Sequence, residues 1–242
     1  LLTSVGTTSD KLKIGQLRAR LMLASLETIY AGGDESSREW LDAQGFSERF
    51  VTQFFRPFYG GVMLDDELET SRKMLEFTYK MFAEGETSIP ARGMGAIPEH
   101  LADKVGRERV RLGARVASVD DDGVTLADGS RLVAERVVLA TEVDFAAEQS
   151  EALSPIPWRG VSCLYFDAPS APIEEPILVL NGEGEGVINN LCIPSQVSPS
   201  YAPSGRALIS VSVLGRHDAA EDALRGAVLD QLAGWFGDEV QR

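Results

Sequence analysis

Apolar residues recur at helical spacing through the first third of the chain and at strand spacing after it. Lys11 to Tyr30 carries Leu12, Leu17, Leu21, Leu26 and Ile29 with good helix formers between them, and Gly32-Gly33 stops it, predicting one long helix. Ser36-Ser37-Arg38-Glu39 is a capping box opening a short helix through Trp40 and Leu41, which Gly45 closes. Ser47 caps a third helix whose Phe50, Val51, Phe54 and Phe55 form one apolar face before Pro57 ends it. Asp65 or Asp66 opens a long fourth helix through Leu68, Leu75, Tyr79 and Phe82 to Gly85.

From Ile89 the period changes. Ile97, Leu101 and Val105 recur at i, i+4 and i+8, with Pro98 in the first turn and Gly106 at the stop, a short helix. Five β signals follow: Arg109 to Leu112, Ala114 to Val119, Val124 to Leu126, Arg131 to Val133 and Arg136 to Thr141. Tight turns at Gly123 and Asp128-Gly129 make local antiparallel pairing cheap, so these strands are expected to form a small sheet of their own. Val161 to Phe166, Ile177 to Leu180, Val187 to Ile193 and Arg206 to Leu214 read as the strands of a second sheet. In the last of them Ala207, Ile209, Val211 and Val213 alternate with Leu208, Ser210, Ser212 and Leu214, so one face is packed. Pro194 to Ser204 reads as a loop. Asp218 with Glu221 caps a final helix whose Leu224, Val228, Leu232 and Trp235 share a face.

Composition narrows the class without naming it. The 242 residues are 44% hydrophobic and 25% charged, an ordinary globular balance with room for one large domain or two small ones. Twenty-three basic against 37 acidic residues give a net charge of -14, which disfavours nucleic acid and anionic membrane surfaces as partners. Cys163 and Cys192 sit in apolar runs and read as small buried hydrophobes in a reducing compartment. With only His100 and His217 a metal site is not expected. No apolar run approaches the ~18 residues of a membrane span. A soluble, cytoplasmic protein is expected.

Self-sufficient catalytic motifs are missing. The chain holds no G-x-S-x-G elbow, no H-E-x-x-H and no phosphate-binding loop. Gly182-Glu-Gly-Glu-Gly186 mimics a dinucleotide fingerprint, but Val187 replaces the last glycine, a strand follows it, and two glutamates would repel a pyrophosphate. It reads as a plain turn. Pro90-Ala91-Arg92-Gly93-Met94-Gly95 is the sharpest local motif, since its glycines permit positive φ and close approach of the backbone to a flat ring. Phe54, Phe55, Phe58 and Tyr59 form an aromatic cluster ending at Gly60-Gly61. They read either as the wall of an apolar substrate tunnel or as helix-domain core.

The run from Ile89 to Thr141, a Gly-rich turn, a helix, a β-meander and then A-E-R-V-V-L-A-T, resembles the middle of an FAD-dependent oxidoreductase of the flavin amine oxidase and phytoene (carotenoid) desaturase type. The F-F-R-P-F-Y-G-G-V-M-L-D segment from Phe54 to Asp65 extends the likeness across the chain. The resemblance implies that Arg92, Gly93, Met94, Phe55 and Tyr59 face the flavin ring or the substrate. It also implies that Val116 lies beside the adenine and that Ala140 and Thr141 end the strand passing the cofactor. Arg92 stands where the family commonly has the first glycine. The turn therefore has two readings, a cation for a flavin carbonyl or an acidic substrate, and a helix entry with a solvated arginine.

The resemblance further implies an α+β fold: a helical subdomain with a mixed sheet, forming a substrate domain, and a β-meander belonging to the FAD domain. The expected division is 1–88, helical; 89–145, excursion into the FAD domain; and 146–242, sheet and helix. The family's pyrophosphate-binding G-x-G-x-x-G and its closing Gly-Asp motif have no counterpart; Gly237-Asp238 lacks the surrounding pattern. Leu1 is not Met, and both ends are abrupt, so the chain is expected to be a fragment of a longer enzyme that does not retain FAD and is inactive alone. A flavoenzyme borrows its chemistry from the cofactor and contributes cavity, orientation and backbone contacts. The substrate expected is an apolar or amine-type small molecule. The rival expectation is a non-catalytic binding domain that keeps the fold without the flavin.

Overall fold

The computed structural model describes residues 4–149, 153–154, 156–217 and 221–237. The chain divides into two units: Leu1–Gly93 with Arg159–Arg242, and Met94–Trp158. The class is α+β, with two antiparallel sheets.

The first unit begins as a helical assembly. The predicted long first helix is two: α1 (Thr8–Leu23) and α2 (Leu26–Tyr30), because Ser25 turns extended and caps α2 through Thr28 N–H. α1 opens on a capping box that the apolar pattern did not announce. Thr7 accepts from Asp10 N–H, and the Asp10 carboxylate receives Thr7 N–H and the Thr7 hydroxyl, both at 2.7 Å. The same carboxylate receives Ser47 N–H at 2.8 Å and the Ser47 hydroxyl at 2.7 Å. A single buried acid thus ties the start of α1 to the start of the third helical segment. α3 (Ser37–Ala43) has the predicted Ser36/Glu39 box.

Pro57 does not end the third helix. After α4 (Glu48–Phe50) the chain runs as a π-helix through Val51–Gly60, then α5 (Gly61–Met63). The wider turn keeps the proline ring clear of the carbonyl four residues back, the clash that breaks an α-helix. Asn189 Nδ2 donates to Pro57 O at 3.0 Å from the other half of the unit. The fourth helix also starts later than its sequence suggests. Asp65 is not its cap: buried, it accepts Thr70 N–H and the Thr70 hydroxyl at 2.6 Å each and faces the Arg159 guanidinium at 2.6 Å. Leu64 and Leu68 take φ of +54° and +59° around it, and α6 (Arg72–Glu84) is capped by Ser71. α1, α3, the π-helix and α6 close on a core that includes Leu21, Trp40, Leu41, Val51, Phe55 and Leu75.

The second unit contains α7 (Ala96–Val105), stopped by Gly106 at φ +96°, and a three-stranded meander, β1 (Val116–Asp120), β2 (Gly123–Leu126) and β3 (Arg131–Val133). Gly123, at φ +142°, is required: a Cβ there would lie 2.1 Å from Leu132 O. Two expected strands are absent. Residues 109–112 leave a 3-10 turn (Arg107–Arg109) without pairing, and 136–141 run unpaired. Val137, Val138 and Leu139 are apolar on both faces, a pattern suited to a strand buried on both sides, and Val138 is 85% exposed. An unpredicted helix, α8 (Val143–Gln149), follows; its Gln149 Oε1 accepts Val119 N–H at 3.0 Å.

The first unit resumes with β4 (Val161–Ala168), β5 (Leu178–Leu180), β6 (Asn190–Cys192), α9 (Pro194–Val197), β7 (Ala207–Leu214) and α10 (Glu221–Phe236). The sheet order is β4-β7-β6-β5, with Leu164 and Leu191 both opposite Val211. The alternation in β7 is realised: Ala207, Ile209, Val211 and Val213 are buried with Val228 and Leu232 of α10. The Asp218 cap lies outside the described residues. Cys163 is exposed rather than buried, because it falls on the outer face of edge strand β4; both thiols are free.

Candidate functional site

The Pro90–Gly93 turn is fastened from behind. Gly93 N–H donates to Pro90 O at 3.0 Å, closing the turn, and Gly93 takes φ +86°. The two preceding carbonyls are held by a 3-10 turn, Pro199–Tyr201: Tyr201 Oη donates to Pro90 O at 2.8 Å and Ser200 Oγ to Ala91 O. By pattern these two residues belong only to a loop of prolines and serines, and no periodicity marks them. With its carbonyls engaged, the turn presents Arg92 and the Gly93 backbone outward. Arg92 is exposed and forms no ion pair among the described residues. A Cβ built at Gly93 or Gly95 meets nothing within 4 Å, so the backbone is open to a flat partner. Met94, the first residue of the second unit, is 60% exposed.

The remaining expected residues fall in two environments. Phe55 and Tyr59 lie in the helical core and line no surface: Phe55 packs edge-on against Phe46, Phe50 and Phe54 at 5.1–5.4 Å, and stacks with Tyr59 at 5.8 Å. Burial pushes the Tyr59 phenol far up, so it stays neutral. Within the second unit, Val116 is half-buried at the start of β1, beside a cleft of about 410 Å³ lined by Arg111, Arg115, Leu126 and Asp128. Nothing in the sequence pattern marks the two arginines of that cleft. Ala140 and Thr141 are exposed at the end of the unpaired run, where a small residue leaves the backbone uncovered. His100 is exposed, and His217 Nε2 sits 2.8 Å from Leu214 O.

For FAD the fit is partial. The open glycine turn suits the approach of a flat ring. The pyrophosphate finds no cradle among the described residues: Gly182–Gly186 forms the β5–β6 turn, whose Asn181 amide is spent on Glu185 O and Ile188 O at 2.7 Å each. No group of three potential metal ligands occurs among the described residues. No described helix is long and apolar enough to cross a membrane.

Known proteins give these features a family. An oxidoreductase from Methanosarcina mazei superposes with a TM-score of 0.68 at 19% identity, over 97% of this chain and 58% of that one. A protein from Pyrococcus furiosus gives 0.68 at 14%, over 92% and 59%. Reduced UDP-galactopyranose mutase gives 0.59 at 14%, over 91% and 57%. At these identities the likeness is one of fold, and the chain spans less than three fifths of each structure. No curated protein matches it. The family model for flavin-containing amine oxidoreductases matches residues 6–242, and the chain belongs to that family.

Proposed function

We propose that this chain is the substrate-domain region of a longer FAD-dependent oxidoreductase acting on an apolar or amine-type small molecule, by hydride transfer from a C–H bond or by desaturation. The family match over residues 6–242 carries this reading. The apolar surface of the second unit supports it, because Met94, Ile97, Leu101 and Val105 are all exposed, as expected of a face that a further part of the enzyme covers. Bound FAD would supply the hydride acceptor. The chain's own contribution is positioning: Tyr201 and Ser200 fix the Pro90–Gly93 turn, Gly93 leaves room for a ring, and Arg92 places an uncompensated guanidinium there. A cation so placed would stabilise negative charge developing on an acceptor.

The chain alone binds FAD weakly or not at all on this reading, since its described residues form no pyrophosphate cradle. Isothermal titration giving tight, stoichiometric FAD binding to these 242 residues would contradict it. In the flavin-loaded enzyme, Arg92→Ala slows flavin reduction and leaves the melting temperature nearly unchanged. Parental reduction with melting several degrees lower would make Arg92 structural. A full-length protein that is colourless and takes up no added FAD would favour a non-catalytic binding domain.

A further inference from the structure

A cleft of about 720 Å³ in the first unit has no part in the flavin reading. It opens between α1, the α4/π-helix segment and the end of β5, and its volume falls in the range of small-molecule sites, roughly 300–1,000 Å³. Its walls are apolar: Val5, Ile14, Phe50, Phe54 and Leu180. Phe50 and Phe54 stack at 5.4 Å with their planes 20° apart, giving one continuous flat side.

Two observations mark this cleft as more than a surface irregularity. Gly15 lies in the middle of α1, where glycine is among the least favourable residues for a helix. No neighbour demands it, because a Cβ at that position meets nothing within 4 Å. The space it leaves open is the cleft itself. The second observation is charge. In a chain of net charge -14, the rim carries two cations, Lys11 and Arg49. The Arg49 guanidinium spends its hydrogen bonds on neutral acceptors, Gln53 Oε1 at 3.1 Å and Ser4 O at 3.3 Å, and forms no ion pair among the described residues. The acid on the rim, Glu183, is directed to Trp235 Nε1 at 3.2 Å.

We propose that this cleft binds an amphipathic monocarboxylate, with the aliphatic chain against Phe50 and Phe54 and the carboxylate at Arg49. Apolar walls select the chain by area removed from water, and an arginine with no acidic partner among the described residues selects the carboxylate by charge-assisted hydrogen bonds. The proposal does not involve flavin, so it stands or falls separately from the oxidoreductase reading.

Isothermal titration of the 242-residue chain with decanoate, below its micelle-forming concentration, tests this. One decanoate binds per chain, and decyltrimethylammonium, of equal tail length, binds at least tenfold more weakly. Arg49→Gln weakens decanoate about tenfold or more and leaves decyltrimethylammonium unchanged. Gly15→Phe fills the cleft and abolishes decanoate binding, with an unchanged or raised melting temperature. Gly15→Leu, with a stronger helix former, does the same if the phenylalanine variant misfolds. Absent or many-to-one decanoate binding, equal affinity for the two amphiphiles, or parental affinity in a folded Gly15 variant would each overturn the proposal.

Discussion

The two units use the same apolar alphabet to different ends. In the first, the apolar residues meet one another: twelve close the helical core, and nine join the four-stranded sheet to α10. In the second, Leu126 and Ala146 are the buried hydrophobic residues among those described. Met94, Ile97, Leu101, Val105, Leu112 and Val138 stand exposed on a helix and loops whose pattern was written for burial. Periodicity therefore reports what a segment is built to face, and does not report whether that partner lies in the same unit. α7 has a correct apolar stripe, a proline in its first turn and a glycine stop, yet it buries none of its residues.

Truncating one large side chain in each unit should produce the widest separation. Phe55→Ala removes a fully buried ring and should cost about 3–5 kcal/mol in urea denaturation. Leu101→Ala, on the open face of α7, should stay within about 0.5 kcal/mol. Equal losses would mean that α7 packs as tightly as the helical core.

The next effect sharpens how the first unit is held at its polar points. Burial pushes the Asp10 carboxyl up, but hydrogen bonds from Ser47 and Thr7 outweigh it and hold the group well below its ordinary value of 3.8. A depressed folded value makes the contribution complete above the ordinary value and lost as pH falls toward the folded one. Asp10→Asn should therefore cost roughly 1.5–3 kcal/mol at neutral pH. It should also flatten the loss of stability below about pH 5, seen in denaturant midpoints between pH 7 and pH 2. Variant and parent curves running parallel through that window would place the acid sensitivity elsewhere, Asp65 being another buried acid held below its ordinary value.

The smallest effect belongs to the second unit. Hydrogen bonds from the Arg131 guanidinium, helped by Asp122 N–H, lower the Asp120 carboxyl to about 2 across the exposed meander. Arg131→Gln should move that titration up toward 3.8 in carboxyl NMR without a detectable change in unfolding. A carboxyl still titrating near 2 would show that the turn amides alone set it.

Much of this architecture was legible from residues, and the failures share a cause. Ser36 with Glu39, the Gly123 and Gly129 turns, and the β7 alternation announce themselves because each is a local rule. Asp65 has the local pattern of a cap, whereas its real partners, Thr70 and Arg159, are five and 94 residues away. Pro57 has the local pattern of a helix stop, and no sequence rule foresees the π-helix that accommodates it. The run at Val137 has the pattern of a strand, but pairing needs a neighbour the pattern cannot supply. Of the candidate site, the glycine turn was visible, whereas its anchors Ser200 and Tyr201 were not, because a hydroxyl reaching back about 110 positions leaves no periodic trace.

Native-state hydrogen exchange on the chain by itself tests the contrast between the units most directly. The backbone amides of Leu164 in β4 and Val211 in β7 should exchange only through global unfolding. Those of Val119 and Val124 in the meander should exchange through local opening at least about 2 kcal/mol lower in free energy. Equal protection across the two sheets would contradict the account, because it would mean that the second unit, with its apolar face exposed, is held as firmly as the core of the first.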